Sequence, residues 1–405
     1  MPLLQPQDPT AIQFRWHKLT TWPLLMLGFR PLFMLAGLSA VLSISVWIFI
    51  LNGQLEWHHK YPAIYWHAHE MLFGFAGAVV AGFLLTAAQN WTQKATLNGA
   101  ALLSLCGIWL AARLSFFIPQ SSVTLTLLLQ ATFWLLLLAN LSSVIITARS
   151  KNNRVFIFSV GVIGCCNIAF LTALNNGDFL QVGLLSQSSL IAYMLLIGVV
   201  SGRVIPFFIA RGLQKDQKPA IRKVDRAIFY LAILCVCISP LQSSFLHTHY
   251  LNGCLLILGC LHLVRAVYWF DIRLVKVPLL WSLYVSYFAI AAGLLLCAYN
   301  RIYHLAFWRD HLHLVAISGM SLMILSMMAR VTLGHTGRSL TTHLSTTIAF
   351  TCIVAAGINR AFLIHFTSPH NAWLISALMW VFGFFLFLIT FSPMLLKQRL
   401  DGRQG

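Results

Sequence analysis

Long stretches without a charged residue set the pattern of this chain. Pro31–Leu51, Val123–Ala148, Val155–Asn175 and Trp373–Leu396 contain no Asp, Glu, Lys or Arg. Each is about long enough to cross a hydrocarbon core of about 30 Å as a helix. In lipid, backbone N–H and C=O groups must be paired within the segment, so such a stretch is helical. A barrel would show short alternating strands instead. Twelve spans are predicted, at 31–51, 67–88, 99–118, 123–148, 155–175, 181–202, 227–246, 250–270, 278–298, 312–334, 344–365 and 373–396. The seventh is the least regular, because Pro240 interrupts it. The longest connection, Arg203–Arg226, is too short for a soluble domain. The organisation is an all-α polytopic membrane protein: residues 1–30 precede the bundle, 31–396 form it in the lipid bilayer, and 397–405 are a tail.

Composition agrees with that pattern. The chain is 59% hydrophobic and 9% charged, against about 25% charged in a soluble domain. Its net charge of +18 would suggest nucleic acid in a soluble protein. Here the excess marks loops. With both ends on one side, 19 of the 27 Lys and Arg fall in segments of that side, and only Lys60, Arg301 and Arg309 lie opposite. The other five, Arg113, Arg203, Arg265, Arg330 and Arg360, lie in or at the ends of spans. Loops rich in Lys and Arg stay cytoplasmic, so both termini are expected there. The polar start, with Asp8, Arg15 and Lys18, does not read as a cleavable signal, and the first span is expected to act as an uncleaved anchor. Nine cysteines lie within apolar runs and form no CxxC pair, which reads as packing rather than ligation.

Spans 2, 6 and 10 share features. His67-Ala68-His69 and His311-Leu312-His313 open spans 2 and 10, and Arg203-Val204 and Arg330-Val331 close spans 6 and 10. Three units of four helices would fit. Chance similarity between apolar helices is the alternative.

Histidines carry the chemistry most openly. Of 15, 11 fall in outer loops or at outer helix ends. Neutral imidazole is the commonest protein ligand for metals and haem iron. Wet loop residues explain most of them, but not His67, His69 and His313, which sit where apolar helices begin. Residues two apart on a helix diverge by about 200°, so His67 and His69 are expected to serve different centres. Glu70 shares a face with His67 and is expected to orient its ring, as groups behind a metal ligand do. Gly74, Gly77 and Gly82 thin one side of the same helix, for close packing or for a flat cofactor. Arg203 and Arg330 are cations near inner span ends with no acid assigned to that depth, which suggests a bound anion or simple snorkelling. His335 lies 22 residues beyond His313, about 33 Å along a helix. It belongs to a separate inner site or caps its helix. No GxGxxG, phosphate loop, nucleophile elbow or HExxH motif is present, so hydrolase and nucleotide-driven chemistry has no support.

Several of these pieces together resemble the NnrS family of haem- and copper-containing membrane proteins associated with nitric oxide metabolism. They are Leu27-Gly28-Phe29-Arg30-Pro31-Leu32-Phe33, Trp66 through Phe75, Gly202-Arg203-Val204-Ile205-Pro206-Phe207-Phe208, His313, and Arg330 through Arg338. The resemblance implies a 12-span protein of the bacterial inner membrane. It implies haem and copper as cofactors, nitric oxide or a related small molecule as partner, and a role in nitrosative stress linked to denitrification. Haem propionates would supply anions for Arg203 and Arg330, and His67, His69, His313 and His335 would be cofactor-binding, with Glu70 behind them. Where this chain has Tyr284, a histidine is expected in relatives. Whether the protein turns over a substrate is left open by the resemblance. Two other readings stay open: a secondary transporter of a small or anionic solute, and a divergent haem–copper oxidase-like oxidoreductase. Span 6 lacks the histidine expected of the latter.

Overall fold

The computed structural model describes residues 19–118, 123–241 and 245–401, with the side chains of 245–247 outside the description. Asp8, Arg15, His17, Lys18, Arg403 and the His247 side chain therefore lie outside the described residues. Twelve helices are long and apolar enough to cross a membrane: Phe29–Leu51, Ala63–Thr92, Gly99–Phe117, Val123–Thr147, Lys151–Asn175, Phe179–Gly212, Arg222–Leu241, Thr248–Trp269, Pro278–Ile302, Trp308–His335, Leu344–His365 and Pro369–Leu396. They are called spans 1–12 below. No strand occurs among the described residues.

Local sequence signals start several spans. Proline opens spans 9 and 12, where its missing N–H costs nothing. Asp178 caps span 6 by accepting from the Gln181 N–H at 3.0 Å, and Ser368 caps span 12 by accepting from Asn371. Such caps satisfy donors that the first turn leaves unpaired.

Spans 2, 6 and 10 form the centre. In their most apolar stretches 83%, 67% and 78% of residues are buried, against 33% in span 1 and 28% in span 7. The three touch one another, and the outer spans turn side chains such as Leu42, Leu128, Leu135 and Ile389 outward. Small residues allow the close crossings that hold helices together without a hydrophobic drive between them. A Cβ on Gly82 would meet Leu32 Cβ at 3.0 Å and the Gly28 carbonyl at 3.2 Å. Of the glycines on span 2, Gly77 instead faces Trp134, and Gly74 faces Glu70 and Arg113. Side chains and neighbouring backbone thus fill the space that Gly74, Gly77 and Gly82 leave.

Among the boundaries that differ from those expected, three have a visible cause. Span 6 runs through Pro206 to Gly212, so the connection to span 7 shrinks to Leu213–Ile221. Proline removes one helical N–H but does not end a helix whose surroundings hold it. Span 7 stops at Pro240, in a 3-10 turn over Ser239–Leu241. Span 10 starts at Trp308, taking in Asp310 and His311. The Asp310 carboxylate is buried there because Arg360 of span 11 pairs with it.

One end of the bundle carries the described chain ends and is called the terminal face. The Leu400 N–H donates to the Thr336 carbonyl at 3.2 Å, and Arg30 donates to the carbonyls of Leu395 and Lys397 at 2.9 and 2.7 Å. The opposite end, where spans 2 and 10 begin, is the histidine face.

Candidate functional site: two histidine environments at one face

Spans 2 and 10 depart from α-helix at matching places. Span 2 is α-helical over Ala63–His69 and π-helical over Glu70–Ala76. Span 10 is α-helical over Trp308–Leu314 and π-helical over Val315–Ser321. In both, the wide turns begin directly below the His-x-His pair. Hydrogen bonds from i to i+5 are weaker than α-helical ones and persist where other groups support them. Here the Leu72 carbonyl accepts from Tyr193 Oη at 2.5 Å and the Gly74 carbonyl from Trp109 Nε1 at 3.1 Å. In span 10, Ser321 Oγ donates to the Ala316 carbonyl at 2.8 Å.

His69 lies inside a closed polar network between spans 2, 3, 4 and 5. Its Nδ1 meets Glu70 Oε1 at 3.0 Å and its Nε2 meets Asn167 Nδ2 at 3.1 Å. Trp134 Nε1 donates to Asn167 Oδ1 at 2.9 Å. That leaves the Asn167 amide N–H to donate to His69 Nε2, so the ring proton is on Nδ1 and points at Glu70. The second Glu70 oxygen pairs with Arg113 Nε at 2.9 Å. With its amide oxygen turned to Arg113, Gln130 joins Arg113 to Asn167. Every member is at least nine-tenths buried. A carboxylate and a guanidinium buried together are tolerable; removing one strands the other at a cost of about 3–5 kcal/mol.

His67 and His313 stand apart from that network. The His67 ring stacks on Trp47, with centroids 4.7 Å apart and planes 16° apart. Its Nδ1 is buried and has no partner among the described residues. His313 Nδ1 donates to the Arg309 carbonyl at 2.8 Å, which puts the free lone pair on Nε2. His67, His313 and Arg360 lie within electrostatic reach of one another. Arg360 is held by Asp310 and lies over the Trp373 ring. Among the described residues no three His, Cys, Asp or Glu side chains converge on a point. His67 and His313 thus lie within electrostatic range of each other, while His69 is engaged elsewhere.

Glu70 does not orient His67. It pairs with His69 and Arg113 instead, because its carboxylate turns toward span 3, where Arg113 supplies the cation that a buried carboxylate needs. Arg203 donates to Asn153 Oδ1 and the Asn152 carbonyl at 2.8 and 2.6 Å and covers the Phe156 ring. Arg330 has no hydrogen bond or ion pair among the described residues and lies 3.6 Å above the Phe208 ring centroid. His335 belongs to the terminal face, 3.4 Å from the Asn90 amide and against Phe29. Tyr284 packs on Phe270 near the start of span 9.

With this geometry in place, comparison with known proteins identifies the lineage. The sequence profile described as "NnrS protein" matches residues 23–399. The chain belongs to the NnrS family. In general terms it is a membrane protein of the nitric-oxide response. No curated protein matches it. The match spans both histidine environments and the terminal face.

Two polar residues of the His69 network had no part in the reading of the sequence. Gln130 and Asn167 are amides deep inside runs without charge, and that setting is the signal that could have found them. His262 and Tyr287 form a second buried pair, with Nδ1 and the phenol 2.6 Å apart and Nε2 without a partner among the described residues. Arg265 beside them donates to the Gly198 carbonyl at 3.1 Å from both terminal nitrogens.

Proposed function

We propose that this NnrS-family protein binds haem and copper at the histidine face and uses them to handle nitric oxide under nitrosative stress, as part of denitrifying metabolism. The observation that carries the reading is the His67–His313 pair. Two imidazoles from the two π-kinked central spans lie within electrostatic range of each other, and each keeps a ring nitrogen without a partner among the described residues. Nδ1 of His313 is fixed by a backbone carbonyl, the arrangement that sets the tautomer of a metal-binding imidazole. Neutral imidazole suits both iron and copper. Bound metal there would supply a centre on which nitric oxide can be held.

The chain's own contribution is to orient and to exclude. Trp47 holds the His67 ring flat, Arg309 holds the His313 ring, and Arg360 places a cation beside both. His69 takes a different part. Both of its nitrogens are engaged, so it can ligate only by releasing Asn167 or Glu70. In its present state it positions the wide turn below His67.

The purified protein should show a Soret band and copper by elemental analysis. Neither signal in protein expressed with haem and copper supplied would remove this reading in favour of a metal-free transporter. The setting is the bacterial inner membrane with both termini cytoplasmic. Reporter fusions after Arg154 and Lys218 should then read cytoplasmic and one near Asn176 periplasmic, and the reverse pattern would invert the site's exposure.

A further inference from the structure

We infer that spans 6 and 10 form an oxyanion site near the terminal face, anchored by Arg330. Arg330 is 8% exposed as a residue, and no hydrogen-bond acceptor or carboxylate among the described residues pairs with it. Its one contact partner of note is Phe208 of span 6. A buried cation with no anion is costly, and pairing removes most of that cost. The other buried arginines differ: Arg113 has Glu70, Arg360 has Asp310, and Arg30 and Arg265 have backbone carbonyls.

A second observation points the same way. Ser326, one turn deeper on the same side of span 10, is fully buried, and its hydroxyl has no partner among the described residues. Ser201 is seven residues before Phe208, on the same side of span 6, and its buried hydroxyl is likewise unpartnered. Serine in a membrane helix ordinarily donates back to a carbonyl one turn away, as Ser189 does here. A cation and two unspent donors on two neighbouring helices suit a group made of acceptor oxygens. Arg330 lies five residues before the end of span 10, about 7 Å along the axis, a depth that a phosphate or carboxylate entering from the interface can reach. Basic pockets between spans take anionic headgroups in this way. The shared chemistry is an oxyanion, from a lipid phosphate or from the carboxylates of a porphyrin.

This inference does not depend on metal at His67 and His313, and the test separates the two. Purified protein in neutral detergent is titrated with phosphatidylglycerol, phosphatidylethanolamine, inorganic phosphate, metal-free protoporphyrin IX or the dimethyl ester of that porphyrin. Bound species are counted by native mass spectrometry. An anionic probe should bind to the unaltered protein and to His67→Ala. Arg330→Gln should weaken it about 10-fold or more, the effect of losing a charged hydrogen bond, and Arg330→Lys should retain part of the binding. Preference for phosphatidylglycerol assigns a headgroup, and preference for protoporphyrin over its ester assigns carboxylates. Equal binding of every probe to the unaltered protein and to Arg330→Gln overturns the site. If Arg330→Gln does not fold, Ser326→Ala decides, since unchanged binding there overturns the site as well.

Discussion

His67 and His69 are two residues apart on one helix and live under opposite conditions. His69 has a carboxylate on one nitrogen and an amide on the other, inside a network that reaches four spans. His67 has an indole against its face and a buried nitrogen without a partner among the described residues. Helix geometry separates their directions by about 200°, and the neighbours on each side do the rest. A polar side chain in a membrane span says little by its type alone. Whether its hydrogen bonds are already spent decides whether it holds the fold or waits for a ligand.

The largest expected effect tests the unspent side. His67→Ala and His313→Ala should each reduce bound metal to background, read by the Soret band and elemental analysis, while thermal unfolding in detergent changes little. Metal retained in both variants would break the contrast by making His67 an ordinary core residue. The spent side should answer in stability. Arg113→Leu strands the Glu70 carboxylate and should cost about 3–5 kcal/mol, seen as a lower unfolding midpoint. Combining it with Glu70→Leu should restore part of that loss, because both charges then leave together.

A smaller effect sharpens the comparison. His69→Ala removes two hydrogen bonds and should destabilise by about 1–3 kcal/mol. As a residue acting through its neighbours, it should weaken metal binding about 10–100-fold without abolishing it. Complete loss of one metal with the fold intact would instead make His69 a ligand.

The twelve spans were legible because each is a long apolar run. The errors came where a local rule met a distant partner. Trp308-Arg309-Asp310 reads as loop because it is charged, yet Arg360, 50 residues on, buries Asp310 inside the helix. Pro206 reads as a stop, yet the neighbours of span 6 carry the helix past it. The π-helical turns leave no mark in composition: EMLFGFA and VAISGMS are ordinary spanning sequence. Glu70 reads as a partner of His67 by α-helical spacing and is found on His69 because Arg113, on another span, draws its carboxylate. The pairing of Glu70 with Arg113, and the electrostatic proximity of His67 and His313, depend on which spans are neighbours, which periodicity does not encode.

The smallest expected effect lies outside the membrane, where the short connection after span 6 is tied down. Arg273 and Lys215 both bind Asp271 and hold its carboxyl well below the usual carboxylate range. A depressed folded-state value means the contact contributes fully above the unfolded value of about 3.9 and is lost as pH falls toward the folded one. Amide exchange in 213–221 should therefore quicken only under strongly acidic conditions, and Asp271→Asn should remove that dependence while leaving the histidine face untouched.

The π-helical turns also act as a phase shift. Each holds a residue that a continuous α-helix would not need, and one residue is worth about 100° of rotation. Deleting a single residue within 70–76 would let span 2 close into uninterrupted α-helix. The lower half, packed on Gly28 and Leu32, is the better anchored, so the half carrying His67 and His69 would have to turn. A deletion that leaves hydropathy and length almost unchanged should then scramble which imidazole faces which neighbour. Point substitutions along the same turn should not. Insertions and deletions, more than replacements, are what this part of the chain cannot absorb.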